Sequence, residues 1–243
     1  MKTILILGAT SGIGEAIASR FAKEGCHLLL TARNVGALTE MTKNLKTRFG
    51  VSIDTLTFDA QHFDEHKMFY NSLPVKPDVV VCVFGYLGNH AETRKNSDEA
   101  LKTINTNFTG AVSILDIAAN DFEERKSGCI IGISSVAGDR GRKSNYHYGS
   151  AKAGFTAYLS GLRHRLFSSG VHVLAVIPGY VRTKMTQGMK LPPLLTASPK
   201  KCADDIYRAF AKRKNVVYTP GIWRHIMLII RMLPEFIFKR TNL

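Results

Sequence analysis

The chain has 243 residues, 45% hydrophobic and 21% charged, a balance that excludes disorder, and its 20 glycines follow no collagen-like period. Lys and Arg outnumber Asp and Glu by 33 to 19, a formal net charge of +14. This invites an anionic partner: nucleic acid, a phosphorylated substrate or an anionic membrane surface. Between Lys190 and Leu243 alone, 11 basic residues face 3 acidic ones, a net of +8.

Ile4–Leu7 is a short apolar run ending at glycine, as buried parallel strands do. Gly14–Lys23 reads as a helix with Ile13, Ile17, Ala18 and Phe21 on one face. Leu28–Ala32 is a second strand and Val35–Phe49 a second helix. Further strands are predicted at Ile53–Phe58, Val79–Phe84, Cys129–Ser134 and Val171–Ile177, and further helices at Asp98–Asn120, Tyr148–Ser168 and Pro199–Arg213. Apolar strands alternating with amphipathic helices specify an α/β fold with a parallel sheet. Neither a repeat nor a Pro/Ser linker divides the chain, so one domain is expected over residues 1–243, with 187–243 forming a substrate-side loop, a helix and an apolar-basic tail.

Cys26, Cys82, Cys129 and Cys202 lie far apart, the spacing of buried thiols and not of a disulfide framework or a metal site. The first apolar run is too short for a signal-peptide core, and no stretch reaches the ~18 apolar residues of a membrane span. A cytoplasmic body is expected.

Gly8-Ala9-Thr10-Ser11-Gly12-Ile13-Gly14 joins the first strand to the first helix. A dinucleotide pyrophosphate needs a tight turn, a close backbone approach and free N–H groups at a helix N-terminus. Gly8 can supply the turn, Gly12 the approach and Gly14 the helix–strand contact. The spacing is Gly-x3-Gly-x-Gly, unlike the Gly-x-Gly-x2-Gly of the standard fingerprint. About twenty residues on, where NAD sites place an acid, the chain reads Thr31-Ala32-Arg33-Asn34. A carboxylate there would repel a 2′-phosphate, whereas Arg33 can pair with one, which favours NADP(H) over NAD(H). The alternative is a solvated loop charge.

Tyr148-Gly149-Ser150-Ala151-Lys152 sets a tyrosine and a lysine four apart on one helical face. A free phenol, with a pKa near ~10, is a weak base at neutral pH. A neighbouring ammonium and a cationic nicotinamide would bring it toward the working range, fit for proton exchange with a carbonyl or alcohol oxygen. Tyr146 has Ser150 at that spacing instead. Ser135 ends a predicted strand, at the sheet edge where ligands of open parallel sheets bind.

Together these motifs resemble the classical short-chain dehydrogenase/reductase family from Lys2 to about Thr186: Gly8-x3-Gly12-x-Gly14, Asp59, Asn107-Phe108-Thr109-Gly110, Ile133-Ser134-Ser135, Tyr148-x3-Lys152 and Pro178-Gly179-x-Val181-x-Thr183. The resemblance implies a Rossmann-like, doubly wound sheet of about seven strands with helices on both faces, and a homodimer or homotetramer. It also implies roles. Tyr148 would be the general acid in reduction, and Lys152 would lower its pKa and hold the nicotinamide ribose. Ser135 would position the carbonyl, and Asn107 would anchor a relay water. Thr10, Ser11 and Ile13 of the turn, Asp59 and Ala60 at the adenine, Gly85 after the fourth strand, and Pro178, Gly179, Val181 and Thr183 beside the carboxamide would complete the cofactor site. Two departures stand out: Cys82-Val83-Phe84-Gly85 replaces the usual Asn-Asn-Ala-Gly, and Leu7 replaces the Thr before Gly8.

On the substrate side, Arg140, Arg142 and Lys143 precede the tyrosine, and Arg182 and Lys184 flank the last motif, a cluster suited to an anionic substrate group or to a solvated surface. Ile222, Ile226, Ile229, Leu233 and Phe236 recur at three- and four-residue steps among basic residues. Residues 221–240 thus suit peripheral membrane contact, packing on the chain's own core, or a subunit interface, and Pro234 should break the helix. Phe84-Gly85-x-Leu87-Gly88, Gly138-x-Arg140-x-Arg142 and the Trp223-to-Arg240 tail are similar to a branch of the family acting on a keto-sugar linked through phosphate to a polyprenyl lipid. A reductase of soluble 3-oxoacyl or steroid-like ketones, and a non-catalytic dinucleotide-binding module, are the alternatives. No motif supports nucleic-acid binding.

Overall fold

In a computed structural model, which describes residues 1–241, the strands are β1 (Thr3–Leu7), β2 (His27–Ala32), β3 (Ile53–Thr57), β4 (Val79–Cys82), β5 (Cys129–Ile133), β6 (His172–Pro178), β7 (Tyr180–Val181), β8 (Thr196–Ala197) and β9 (Val216–Thr219). The helices are α1 (Gly12–Ala22), α2 (Thr39–Phe49), α3 (His66–Asn71), α4 (His90–Thr93), α5 (Ser97–Ile104), α6 (Gly110–Arg125), α7 (Tyr146–Leu166), α8 (Pro199–Ala211), α9 (Trp223–Met232) and α10 (Glu235–Phe238). Seven strands form one sheet in the order β3-β2-β1-β4-β5-β6-β9, with every pairing parallel, while β7 and β8 form a separate parallel pair. The expected Rossmann-like architecture is what the chain adopts.

Alternation along the strands builds a core on each face of the sheet. Ile4, Ile6, Leu28, Leu30, Val79 and Val81 pack with Ile17, Phe21 and Leu45 of α1 and α2 and with Ile206 of α8. Leu5, Leu7, Leu29 and Val80 face the other way, onto Ile114 and Phe122 of α6 and Phe155 and Leu159 of α7. Central strands buried on both faces explain the unbroken apolar runs in the sequence. The strand order reverses between β1 and β4, and such a switch point opens a crevice at the carboxyl ends of the strands.

Several elements differ from the sequence reading. The seventh strand, β9, is a short edge element whose Val216 is exposed and whose Val217 and Tyr218 are half-buried, so it lacks a buried-strand signature. The helix expected over Asp98–Asn120 is three pieces: α5, a π-helical turn at Asn105–Thr109, and α6. Gly110 packs so tightly that a Cβ would lie 2.0 Å from the Ala60 carbonyl oxygen, and the widened turn brings Asn107 inward. Residues 35–49 begin with a 3-10 turn capped by Asn34 before α2 starts. All four cysteines are buried thiols. No helix among the described residues is long and apolar enough to cross a membrane.

The tail breaks at Leu233–Pro234, as expected, but one of its faces is part of the core. Trp223, Met227 and Ile230 cluster with Val136 and Ile177. The positions chosen from periodicity lie largely elsewhere: Ile222, Ile229 and Phe236 are exposed.

Candidate active site

The glycine turn is held by its own backbone and two hydroxyls. Gly8 has φ +96°, a left-handed conformation that glycine adopts without steric cost, and a Cβ there would lie 2.7 Å from Phe84 N. Ser11 caps α1: its Oγ accepts from Gly14 N at 3.0 Å and donates to the Gly8 carbonyl at 3.0 Å. The hydroxyl missing before Gly8 is replaced from the neighbouring strand. Thr31 Oγ1 accepts from Gly8 N at 3.2 Å and donates to the Ile6 carbonyl at 3.2 Å. The missing asparagine braces are likewise bridged, because Val83 N and Phe84 N both donate to the Leu7 carbonyl at 3.0 Å.

Beside this turn lies a cleft of about 800 Å³, which Ile13, Gly85, Ser135, Tyr148, Lys152, Pro178, Gly179, Val181 and Thr183 all line. Gly8, Thr10, Ser11, Gly12 and Gly14 form the adjoining turn and helix start. Arg33 follows β2 and is exposed, and Asn34 next to it caps the following turn through Gly36 N at 2.9 Å. Asp59 accepts from Gln61 N at 3.0 Å, and Ala60 is buried beneath Gly110. A tight turn at a helix N-terminus, with an arginine and no acid after β2, fits the pyrophosphate and ribose end of a dinucleotide.

Ser135 leaves β5 in extended conformation, and its Oγ accepts from Ala137 N at 3.1 Å. Tyr148 and Lys152 sit one turn apart in α7, and Ser134 Oγ donates to the Lys152 carbonyl at 2.9 Å. Lys152 is buried, its Nζ donating to the Ile133 carbonyl at 3.0 Å and standing 5.8 Å from the Tyr148 ring centre. Asn107 lies behind the cleft: its Oδ1 accepts from Tyr86 N at 3.1 Å, and its Nδ2 donates to the Thr103 carbonyl at 2.8 Å. Its amide is thereby spent on fixing the backbone after Gly85.

Burial governs the electrostatics of the pair. It pushes the Tyr148 phenol up to about 12, and the Ser135 side chain opposes this. Burial also brings the Lys152 ammonium down to about 8. At neutral pH the tyrosine therefore carries its proton, the state an acid needs.

Of the basic loop residues, Arg140 is structural. Its Nη1 donates to the Ile230 and Leu233 carbonyls, both at 2.6 Å, its Nη2 pairs with Glu235 at 2.9 Å, and its guanidinium covers the Phe238 ring. It closes the C-terminal end of α9. Arg142 lines the cleft, Lys143 is exposed, and Arg182 and Lys184 border a separate shallow depression. His90, Asn145 and His147 also line the cleft, and no spacing or composition signal marked them.

Residues 2–192 match the family model described as short chain dehydrogenase. The chain belongs to this family. As one of its members it is an oxidoreductase acting between CH–OH and C=O groups with an NAD(P) cofactor. An uncharacterised oxidoreductase of Mycobacterium tuberculosis is 34% identical over 240 residues, spanning 98% of this chain and 96% of the relative. The NADP-dependent 3-hydroxy acid dehydrogenase of Schizosaccharomyces pombe is 29% identical, with 89% of each chain covered. Among solved structures, a short-chain dehydrogenase from Sphingobium yanoikuyae in complex with NADPH superposes with a TM-score of 0.83 at 23% identity, covering 97% of both chains, and so shares the short-chain dehydrogenase fold. An actinorhodin polyketide ketoreductase variant with NADPH gives 0.76 at 27% identity, covering 85% of this chain and 89% of that one.

Proposed function

We propose that this short-chain dehydrogenase reduces a ketone to a secondary alcohol, with NADPH preferred over NADH and with a lipid-linked keto-sugar at a membrane surface as its substrate. The observation that carries the reaction is the convergence of Ser135, Tyr148 and Lys152 on one cleft beside the glycine turn. Ser135 holds the carbonyl oxygen, and Tyr148 donates its hydroxyl proton to that oxygen. Lys152, one turn further on, supplies the charge that stabilises the tyrosinate left behind. Asn107 is a positioning residue that pins the Gly85–Tyr86 backbone against Lys152. When bound, the dinucleotide supplies the hydride. Arg33 pairs with the 2′-phosphate that distinguishes NADPH.

The surface-bound reading rests on the tail. Leu228, Ile229, Met232 and Phe236 present an exposed apolar face, with Arg224, Arg231, Lys239 and Arg240 also exposed. Apolar side chains flanked by cations suit an anionic lipid surface. Met227, on the buried face of the same helix, receives a hydrogen bond from Arg142 of the cleft at 3.3 Å, so the helix borders the site. The resemblance of the loop and tail motifs to decaprenylphosphoryl-2-keto-ribose reductase supports the same substrate class.

NADPH oxidation against a panel of ketones, in wild type and Tyr148→Phe, tests the reaction. The variant should lose about 10³-fold in turnover, and unchanged turnover refutes the assignment. Flotation with phosphatidylglycerol vesicles tests the surface. A chain that stays with the soluble fraction is a reductase of soluble ketones instead.

A further inference from the structure

Four polar atoms crowd one side of the cleft without a protein partner. They are His90 Nε2, Arg142 Nε, Asn145 Oδ1 and His147 Nδ1, all shielded from solvent. An unsatisfied buried polar atom costs about 1–3 kcal/mol, and native proteins leave few. Among the described residues six side-chain atoms are in this state, so their concentration here marks a place where a ligand supplies the partners.

Their chemistry selects that ligand. Arg142 is a permanent cation and donor, and its Nη2 donates to the weak acceptor Met227 Sδ at 3.3 Å. Each imidazole nitrogen becomes a donor by a change of tautomer. The rings are held by Tyr146, whose centre lies 4.9 Å from that of His90 and 4.4 Å from that of His147. Asn145 would ordinarily cap α7, but its side chain makes no cap hydrogen bond and its oxygen is the sole acceptor in the group. No Asp or Glu among the described residues lines the cleft, and nearby Asp139 receives the Tyr218 hydroxyl at 3.0 Å.

We propose that Arg142, His90 and His147 form a subsite for a phosphate group carried by the substrate, with Asn145 accepting from a hydroxyl beside it. This rests on the reading of the cleft as a ketone-reducing site and makes these residues determinants of specificity, because they share the cleft with Ser135 and Tyr148.

Calorimetric titration of the full chain saturated with NADPH tests the subsite without turnover. Inorganic phosphate and dibutyl phosphate are the probes, the first standing for a free phosphorylated sugar and the second for a lipid diester. Both should bind, the tighter one assigning the source, and Arg142→Gln should weaken binding about tenfold or more. Arg142→Lys, which retains the charge, should recover part of the loss and guards against a folding defect. In kinetics, Arg142→Gln should raise KM for dihydroxyacetone phosphate while leaving that for dihydroxyacetone unchanged. Phosphate binding indifferent to Arg142, competition against NADPH alone, or an equal KM change for both ketones overturns the proposal. Tyr148→Phe separates the two ideas: it should abolish turnover and keep phosphate binding. If Tyr148→Phe turns over normally while binding still depends on Arg142, the reaction assignment fails and the subsite stands.

Discussion

The glycine turn and the C-terminal tail border the same cleft, yet they are built on opposite principles. The turn is local: Gly8, Ser11 and Gly14 satisfy one another within seven residues, and Thr31 adds one hydroxyl from the adjacent strand. The tail depends on partners far away in the chain. Arg140 reaches the Ile230 and Leu233 carbonyls, 90 and 93 residues ahead, and Trp223 Nε1 donates to the Leu195 carbonyl at 2.9 Å. A cofactor common to many reactions can be held by a local device, whereas a substrate-specific wall is assembled from contacts that a new substrate can rearrange.

The sharpest way to break this contrast is at Gly179, which lines the cleft and packs against Trp223 of the tail. A Cβ there would lie 1.9 Å from Trp223 Nε1, so Gly179→Ala should destabilise the protein by about 3 kcal/mol through overpacking. A lowered Tm with a protease-sensitive tail is expected, and an unchanged Tm would show that the tail docks loosely. Arg140→Gln should cost about 2 kcal/mol through lost charge-assisted bonds. It should loosen residues 221–241 in hydrogen exchange while NADPH binding, measured by fluorescence, holds.

Lys152 offers a smaller, pH-dependent effect. Its folded value of about 8 lies below the ordinary 10.5, so the unfolded chain binds more protons across that window. Its contribution to stability therefore rises with pH from about 8 to 10.5 and is lost as pH falls back through 8. Denaturant titrations of wild type and Lys152→Met should show this slope only in the former. Reduction rates should fall in the opposite sense, declining as the ammonium is lost above about pH 8. Least of all, Ile229→Glu on the exposed apolar face should change stability by no more than about 0.5 kcal/mol while reducing vesicle flotation.

Legibility follows the same division. β1, β4 and β6 were readable because both faces are buried, and the turn and Tyr148-x3-Lys152 because their geometry is set by spacing. Edge strand β9 was not, since partial exposure dilutes its pattern. The π turn at Asn107 was hidden because it answers to Ala60, distant in sequence. Among the basic residues, Arg140 and Arg142 look alike in sequence, yet one closes a helix and the other lines the cleft, a difference only their tertiary neighbours create. Periodicity found the tail helix but chose its outward face, because Trp223, Met227 and Ile230 also recur at helical spacing.

The sequence contains one tryptophan, and it lies against Gly179 and edge-on to Tyr180, both in the wall of the cleft. The protein consequently carries a built-in optical reporter. Its indole emission overlaps the absorption of a reduced nicotinamide, so filling of the cleft, docking of the tail and movement of the loop between them can be followed by intrinsic fluorescence without any label.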